Sequence, residues 1–278
     1  MSLPKNLLEC LPEEARVENI KFVSRDTNAL NELFQFPIAI NRKAISVSTD
    51  GDSTEKADLT LLIVPASISL DAEKISAIRK WVEGDNHPIE PTSLMLSLQH
   101  VQILWSPERI AIVAEKNRVE TVQRAMIEVT YYVSELTNIE YEISQRWPQL
   151  ESDIPIAFQY DQKRIGRKKE LMQQFQSIYL LRAQLSRITP FLLCPHVYPP
   201  TLASQVGERL RERVRVEDRV EFTSDQLEVY EEVYELCSQR INDHQHAYKG
   251  HTLEWMIIIL LLVQILFSVF DYLTIAGT

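Results

Sequence analysis

The run LTLLIVP, residues 59–65, decides the fold class, because a short apolar segment of strand-forming residues favours a buried β-strand. After it, Asp71 begins a segment in which Ile78 and Val82 recur at helical spacing until Gly84. A strand followed directly by a helix predicts a domain that mixes both kinds of element.

The next segments predict a hairpin and a long helix. Val101–Trp105 and Arg109–Glu115 are apolar runs that flank the turn residues Ser106-Pro107-Glu108. We then expect a helix over about Val119–Gln145, a stretch without proline or glycine, which Pro148 ends.

A last strand is expected after this helix, because apolar and more polar residues alternate along Ile154, Ile156, Phe158 and Tyr160. Pro155 places that strand at a sheet edge. The resulting order of strand, helix, strand, strand, helix and strand is the ferredoxin-like arrangement. The expected fold class is therefore α+β, with an N-terminal ferredoxin-like α/β sandwich.

From Lys163 onward the pattern becomes helical, and two apolar seams predict a long helical hairpin. The first seam steps by three and four residues from Leu171 to Ile188. Prolines between Pro190 and Pro200 end that helix and form an extended link. The second seam is a heptad pattern formed by Leu227, Tyr230, Tyr234, Cys237, Ile241, His244 and Tyr248. The two helices should pack as an antiparallel pair, or against a second subunit.

The C-terminal run WMIIILLLVQILFSVF, residues 255–270, predicts a transmembrane helix that anchors the chain. This uncharged run extends about 24 Å, and continuation to Ile275 gives about 31 Å, against a hydrocarbon core of about 30 Å. The expected anchor residues, with an aromatic residue near each interface, are Trp255, Ile258, Leu262, Ile265 and Tyr272. The alternative is a helix buried in the core of an oligomer.

Flanking charges give the expected location. Arg240 and Lys249 precede the apolar run and no Lys or Arg follows it, so the body should be cytoplasmic or in an equivalent compartment. Met1–Phe22 is acidic and has no long apolar run, so we expect no import signal there. We therefore expect a single-pass protein of a bacterial inner membrane, with its N-terminal body in the cytoplasm. The expected organisation is an α+β domain at 1–160, a helical hairpin or coiled-coil region at 161–250 and the transmembrane helix at 251–276.

Charge is unevenly distributed along the chain. The net charge of −10 lies entirely in residues 1–162, which should repel nucleic acid and anionic lipid. The densest basic cluster is KRIGRKK, residues 163–169. Its candidates for contact with RNA phosphate or anionic lipid are Lys163, Arg164, Arg167, Lys168 and Lys169. An ordinary solvated surface is the alternative. The alternating Arg and Glu residues of Leu210–Glu221 are typical of a self-paired, solvated helix face.

Motifs for catalysis or cofactor binding do not occur. The six glycines are scattered, which disfavours a phosphate-binding loop of the P-loop or Rossmann type. Cys10, Cys194 and Cys237 are far apart in the sequence and form neither a disulfide framework nor a CxxC pair. His251 and Glu254 share a helix face but lack a third metal ligand. We expect no catalytic residue, cofactor or metal.

The run HTLEWMIIIL, residues 251–260, resembles the terminal signature of the "required for meiotic nuclear division" family, in which a Leu-Glu-Trp triplet leads into an Ile-rich hydrophobic helix. Ile165–Arg182 is similar to the lysine-rich helix of that family, Leu185–Pro190 to its Leu/Pro segment and Arg124–Glu142 to its long Ala- and Ser-containing helix. The chain lacks the Tyr-Gly step and the Trp-Gly that the family carries. The signature residues here are His251, Leu253, Glu254 and Trp255.

The resemblance implies a non-enzymatic, self-associating inner-membrane protein. The best-known relatives face the mitochondrial matrix and support translation near the membrane. We expect no mitochondrial presequence at the N-terminus, and that expectation suggests a bacterial member.

The leading hypothesis is a tail-anchored, self-associating membrane scaffold that holds a cytoplasmic partner, such as the translation machinery, at the membrane. The expected partners are membrane lipid, further copies of the chain, and RNA or the ribosome. The alternative is a membrane-bound enzyme with its pocket in the N-terminal α+β domain. Buried carboxylates or histidines clustered in one cleft would favour the enzyme.

Overall fold

The computed structural model describes residues 11–12, 14–28, 31–47, 57–65, 71–84, 93–158, 168–193 and 201–276. For residues 168, 241, 243–252 and 268–276 the description covers the helical backbone and not the side chains.

The described residues form seven strands and five helices. The strands are β1 Arg16–Ser24, β2 Glu32–Gln35, β3 Arg42–Val47, β4 Leu59–Pro65, β5 Leu94–Leu98, β6 Val101–Trp105 and β7 Arg109–Ala114. The helices are α1 Ala72–Glu83, α2 Lys116–Phe158, α3 Lys168–Leu193, α4 Leu202–Arg213 and α5 Val216–Ala276.

All seven strands form one mixed sheet in the order β2-β3-β1-β4-β7-β6-β5. Neighbouring strands are antiparallel except β4 and β7, which run parallel. The strand predicted at residues 59–65 is confirmed as β4 at the centre of the sheet. The hairpin predicted at 101–115 is confirmed as β6 and β7, and across its turn the Ser106 N–H donates to the Arg109 carbonyl at 2.8 Å.

Helix α1 confirms the helix predicted after Asp71. Asp71 is its N-cap residue and Gly84 is its C-cap, with a φ of 72° that favours glycine. Ile78 and Val82 are buried, so the helix presents its apolar face to the sheet.

The two faces of the sheet are covered by different helices. Side chains alternate along each strand, so neighbouring residues of one strand contact opposite faces. Leu62 and Val64 of β4 pack with Ile78 of α1 in one apolar cluster. On the opposite face, the Trp105 indole N–H of β6 donates to the Thr130 hydroxyl of α2 at 2.8 Å. The sheet is therefore the buried middle layer between α1 and α2.

Helix α2 corrects two predictions. It is 43 residues long and continues through Pro148 and Pro155 to Phe158. The expected helix end at Pro148 is wrong, and the expected strand at 154–160 is wrong up to Phe158, since residues 159 and 160 lie outside the described ranges. Each proline removes a helical hydrogen bond at a cost of about 3 kcal/mol, so other contacts must offset it.

Packing of α5 on α2 provides such contacts. The Tyr230 hydroxyl donates to the Ile143 carbonyl at 3.0 Å, one residue before the carbonyl that Pro148 deprives of its helical donor. The Arg240 Nε–H donates to the Ala157 carbonyl at 3.4 Å, close to the C-terminus of α2. Tertiary contacts thus support a helix that local sequence rules would end.

The chain divides into two compact units. Unit 1 comprises Met1–Glu142 and Ala183–Ser224 and contains the sheet, and unit 2 comprises Ile143–Arg182 and Asp225–Thr278. The fold class remains α+β, but the ferredoxin-like topology is wrong. The sheet has seven strands in a different order, because β1, β2, β3 and β5 add to it and the expected last strand is helical.

The predicted C-terminal transmembrane helix is also wrong. Among the helices of the described residues, none is both long enough and apolar enough to cross a membrane. The C-terminal residues belong instead to α5, a 61-residue helix.

A pair of matched substitutions tests whether the second seam is buried within the chain. Leu227 is fully buried on α5, whereas Leu236 on the same helix is 39% exposed. We expect Leu227→Ala to lower the free energy of unfolding by about 3 kcal/mol, because it leaves a cavity. We expect Leu236→Ala to change it by about 0.5 kcal/mol or less. Denaturant unfolding followed by circular dichroism measures both. If Leu227→Ala dissociated an oligomer and left the free energy of unfolding unchanged, the seam would not be buried within one chain.

Candidate functional site

The seam of α5 is occupied by α2 within unit 2. Leu227, Tyr230, Tyr234 and Cys237 are all buried. The ring of Tyr230 lies 5.6 Å from that of Trp147 in an edge-on arrangement. The sequence predicted that the helix of the first seam, or a second subunit, would cover this seam. The contacts of Tyr230, Tyr234 and Cys237 are instead with α2. The side chains of Ile241, His244 and Tyr248 lie outside the description.

A buried carboxylate lies at the centre of this packing. Asp153 of α2 is fully buried, and its Oδ2 accepts hydrogen bonds from Gln149 at 2.9 Å and from the Tyr234 hydroxyl at 3.3 Å. The Cys237 thiol donates to the Asp153 carbonyl at 3.8 Å. Burial, and then the charge of Asp153, raises the pKa of the Cys237 thiol to about 11. The thiol is therefore protonated at neutral pH and is a poor nucleophile, so this cluster acts as a structural clamp.

The clamp predicts a loss of stability at alkaline pH. The unfolded thiol ionises above about pH 9, whereas the folded thiol stays protonated up to about pH 11, so its stabilisation is complete below pH 9 and is lost as the pH rises to 11. Wild-type protein should lose more unfolding free energy between pH 9 and pH 11 than Cys237→Ala does. Denaturant titrations across this interval measure the difference, and equal losses would contradict the assignment.

An apolar segment, defined as Leu253–Phe267 of α5, is the most unusual exposed surface. Thirteen large apolar side chains in it are exposed, at 42–70% of their surface. Successive helical residues point about 100° apart, so an unbroken run from Trp255 to Val263 exposes apolar surface on every side of the helix. Ordinary surface helices expose a polar face instead.

Most of the predicted anchor and signature residues lie in this segment. Trp255, Ile258, Leu262 and Ile265 are about half exposed, and Tyr272 lies further along α5 with its side chain outside the description. Of the signature residues, Leu253, Glu254 and Trp255 are exposed on the helix. The side chain of His251 is not among those described.

The predicted polyanion-binding residues are mostly outside the described ranges. Lys163, Arg164 and Arg167 precede α3 and are not described. Lys168 is the first residue of α3, with its side chain outside the description, and Lys169 is exposed in the first turn. Of these five cations, only Lys169 has a described side chain, so the prediction of a basic cluster stays a prediction.

The charged run around 210–221 is only partly self-paired. Arg215, which immediately precedes α5, contacts Asp218 of that helix at 2.6 Å. Arg219 instead reaches α2, where its Nε–H donates to Glu140 at 2.8 Å and its Nη2–H donates to Thr137 at 2.8 Å. Periodicity alone did not indicate this contact between helices.

A pocket of about 530 Å³ lies in unit 1 between α2, α4 and β2. Sequence reasoning missed it, because its walls come from three distant parts of the chain. Its lining residues are Phe34, Glu120, Thr121, Arg124, Ala125, Glu128, Val129, Thr201, Ala203, Ser204, Gly207 and Arg211. Its volume lies within the range typical of small-molecule sites.

Opposite charges meet in this pocket. Arg124 and Glu120, one turn apart on α2, are in contact at 2.8 Å. Burial lowers the pKa of the Arg211 guanidinium, and the carboxylate of Glu128 opposes that shift, so these two groups lie near each other. As far as the structure describes the lining, it contains no histidine, and no group of His, Cys, Asp and Glu side chains in the described chain is arranged to hold a metal ion.

Comparison with known proteins gives no match: no family model, no curated protein and no solved structure matches this chain. The resemblance of residues 251–260 to the "required for meiotic nuclear division" family therefore stays a prediction.

Proposed function

We propose that this chain is a non-enzymatic scaffold that attaches to membrane lipid through the apolar segment and holds a cytoplasmic partner there. The observation that carries the proposal is the exposure of thirteen large apolar side chains between Leu253 and Phe267. A protein in water rarely leaves so much contiguous apolar surface uncovered.

Lipid fits this segment better than a partner helix does. A partner helix covers only the side that it touches, whereas hydrocarbon surrounds an inserted helix on all sides. Residues 255–267 contain no charged side chain and one amide, Gln264. We propose insertion of the segment into the hydrocarbon layer from the cytoplasmic side, without a crossing of the bilayer.

Two helical surfaces of unit 2 support self-association of the scaffold. On α5, Val229 and Leu236 are exposed seven residues apart, beside the exposed acids Glu228, Glu232 and Glu235. On α3, Met172 and Tyr179 are also exposed seven residues apart, and Lys168 and Lys169 begin that helix. Apolar stripes with opposite flanking charges suit a contact between α5 of one copy and α3 of another.

The enzyme alternative receives less support from the pocket of unit 1. Catalysis by paired carboxylates needs groups whose surroundings separate their pKa values. Glu120 is exposed and paired with Arg124, and Glu128 is only partly buried. These acids have the surroundings of ion-pairing groups, which suits a binding pocket.

Vesicle flotation tests lipid attachment. We expect the full chain to float with phosphatidylcholine vesicles and the variant Ile258→Lys/Leu262→Lys to stay unbound, because each lysine costs about 3 kcal/mol in an apolar layer. The matched control is Ile38→Lys/Phe158→Lys, which replaces two exposed apolar residues outside the segment and should float like the wild type. Flotation of the segment variant, or failure of the wild type to float, would refute the proposal.

Charge reversal tests self-association. We expect Glu232→Lys/Glu235→Lys alone, or Lys168→Glu/Lys169→Glu alone, to weaken the association of detergent-solubilised chains by about fivefold, because like charges then face each other. The combined variant should recover association, since the opposite charges are restored. Sedimentation equilibrium at low salt measures the mass. Combined reversal without recovery would contradict a contact between these helices.

A further inference from the structure

The pocket of unit 1 owes its space to small side chains. Ala125 on α2 and Ala203 and Gly207 on α4 line it. A Cβ atom added at Gly207 would lie 3.3 Å from the Val129 Cγ2 and 3.5 Å from the Arg211 Nη1, so the two helices approach closely there. This glycine lets α4 contact α2 while the neighbouring alanines leave room for a ligand.

The pocket lining contains equal numbers of positively and negatively charged side chains. Two arginines and two glutamates line it, so a ligand of one charge sign meets like charges as well as opposite ones. A ligand that carries one positive and one negative group avoids this conflict. It can place its anion on an arginine and its cation on a glutamate.

The first turn of α4 adds donors for an anion. Thr201 caps this helix, and its side chain and that of Ser204 satisfy each other's backbone N–H groups. The N–H group of Ala203 belongs to the same turn, whose N–H groups have no partner within a helix. Since the N-terminal end of a helix carries partial positive charge, a carboxylate is favoured there.

A buried hydroxyl also lies on α2, on a residue outside the pocket lining. Tyr132 is 2% exposed, and its hydroxyl has no hydrogen-bond partner within the described part of the chain. Burial, and then the charge of Glu128, raises the pKa of this hydroxyl, so it lies near the acid that lines the pocket. A cation held by Glu128 would remove part of the negative charge that faces this unsatisfied group.

We propose that this pocket binds a free α-amino acid as a zwitterion. Arg211 and the first turn of α4 hold the carboxylate, and Glu128 holds the ammonium group. An apolar amino-acid side chain packs against Phe34 and Val129. This site is separate from the apolar segment and does not depend on lipid attachment.

Calorimetric titration of the detergent-solubilised full chain with each of the twenty amino acids tests the inference. We expect at least one amino acid with an apolar side chain to bind. Its amide, which lacks the carboxylate, and its N-acetyl form, which lacks the ammonium group, should each bind about tenfold more weakly or worse. Absence of binding by every amino acid at roughly millimolar concentration would overturn the proposal. Equal binding of the blocked forms would also overturn it.

Substitutions then locate the site. Arg211→Gln and Glu128→Gln should each weaken binding by about tenfold or more, because each leaves one ligand charge without its partner. Arg213→Gln removes an exposed arginine from the same helix, outside the pocket lining, and should leave binding unchanged. Unchanged affinity in both pocket variants would refute the site. If a pocket variant fails to fold, the blocked ligands on wild-type protein still decide the question.

Discussion

The packing of α5 on the second half of α2, seen in the hydrogen bond from Tyr230 to Ile143, is the interaction on which unit 2 depends. It supports α2 across both internal prolines and ends near the contact of Arg240 with Ala157. Helix α5 continues beyond the end of α2, so the apolar segment begins where α2 no longer covers it. Each half-exposed large apolar side chain there leaves about 1 kcal/mol of burial unrealised, which favours transfer to an apolar environment.

Local signals predicted the elements that local chemistry determines. Residues 59–65, the helix after Asp71 and the hairpin at 101–115 all combine a strong apolar pattern with a turn or cap. Strand β2 has four residues and β1 mixes charged with apolar residues, so neither gave a strong pattern. The end predicted at Pro148 failed because the local cost of a proline, about 3 kcal/mol, is smaller than the tertiary packing that opposes it.

For the candidate sites too, local sequence patterns predicted some features, while others depended on contacts between distant parts of the chain. A heptad seam predicts which residues are buried but not which helix buries them, so the partner of Tyr234 became evident only from its contact with Asp153. The pocket was beyond sequence reasoning, because it joins Phe34 with residues of two helices far along the chain. Arg211 belonged to a run of alternating charges that is usually solvated. The exposed apolar segment, by contrast, coincides with a composition that the sequence displays directly.

The charge distribution bears on the force behind the proposed attachment to lipid. The whole net charge of −10 lies in residues 1–162, and the exposed surface of α5 before the apolar segment is acidic at Glu228, Glu232 and Glu235. Anionic lipid headgroups repel such a surface, so electrostatic attraction cannot be the main driving force. Apolar burial does not depend on headgroup charge. Salt screens the repulsion between acidic side chains and anionic headgroups, and it does not weaken apolar burial. The proposed attachment of Leu253–Phe267 to anionic membranes should therefore strengthen as the salt concentration rises.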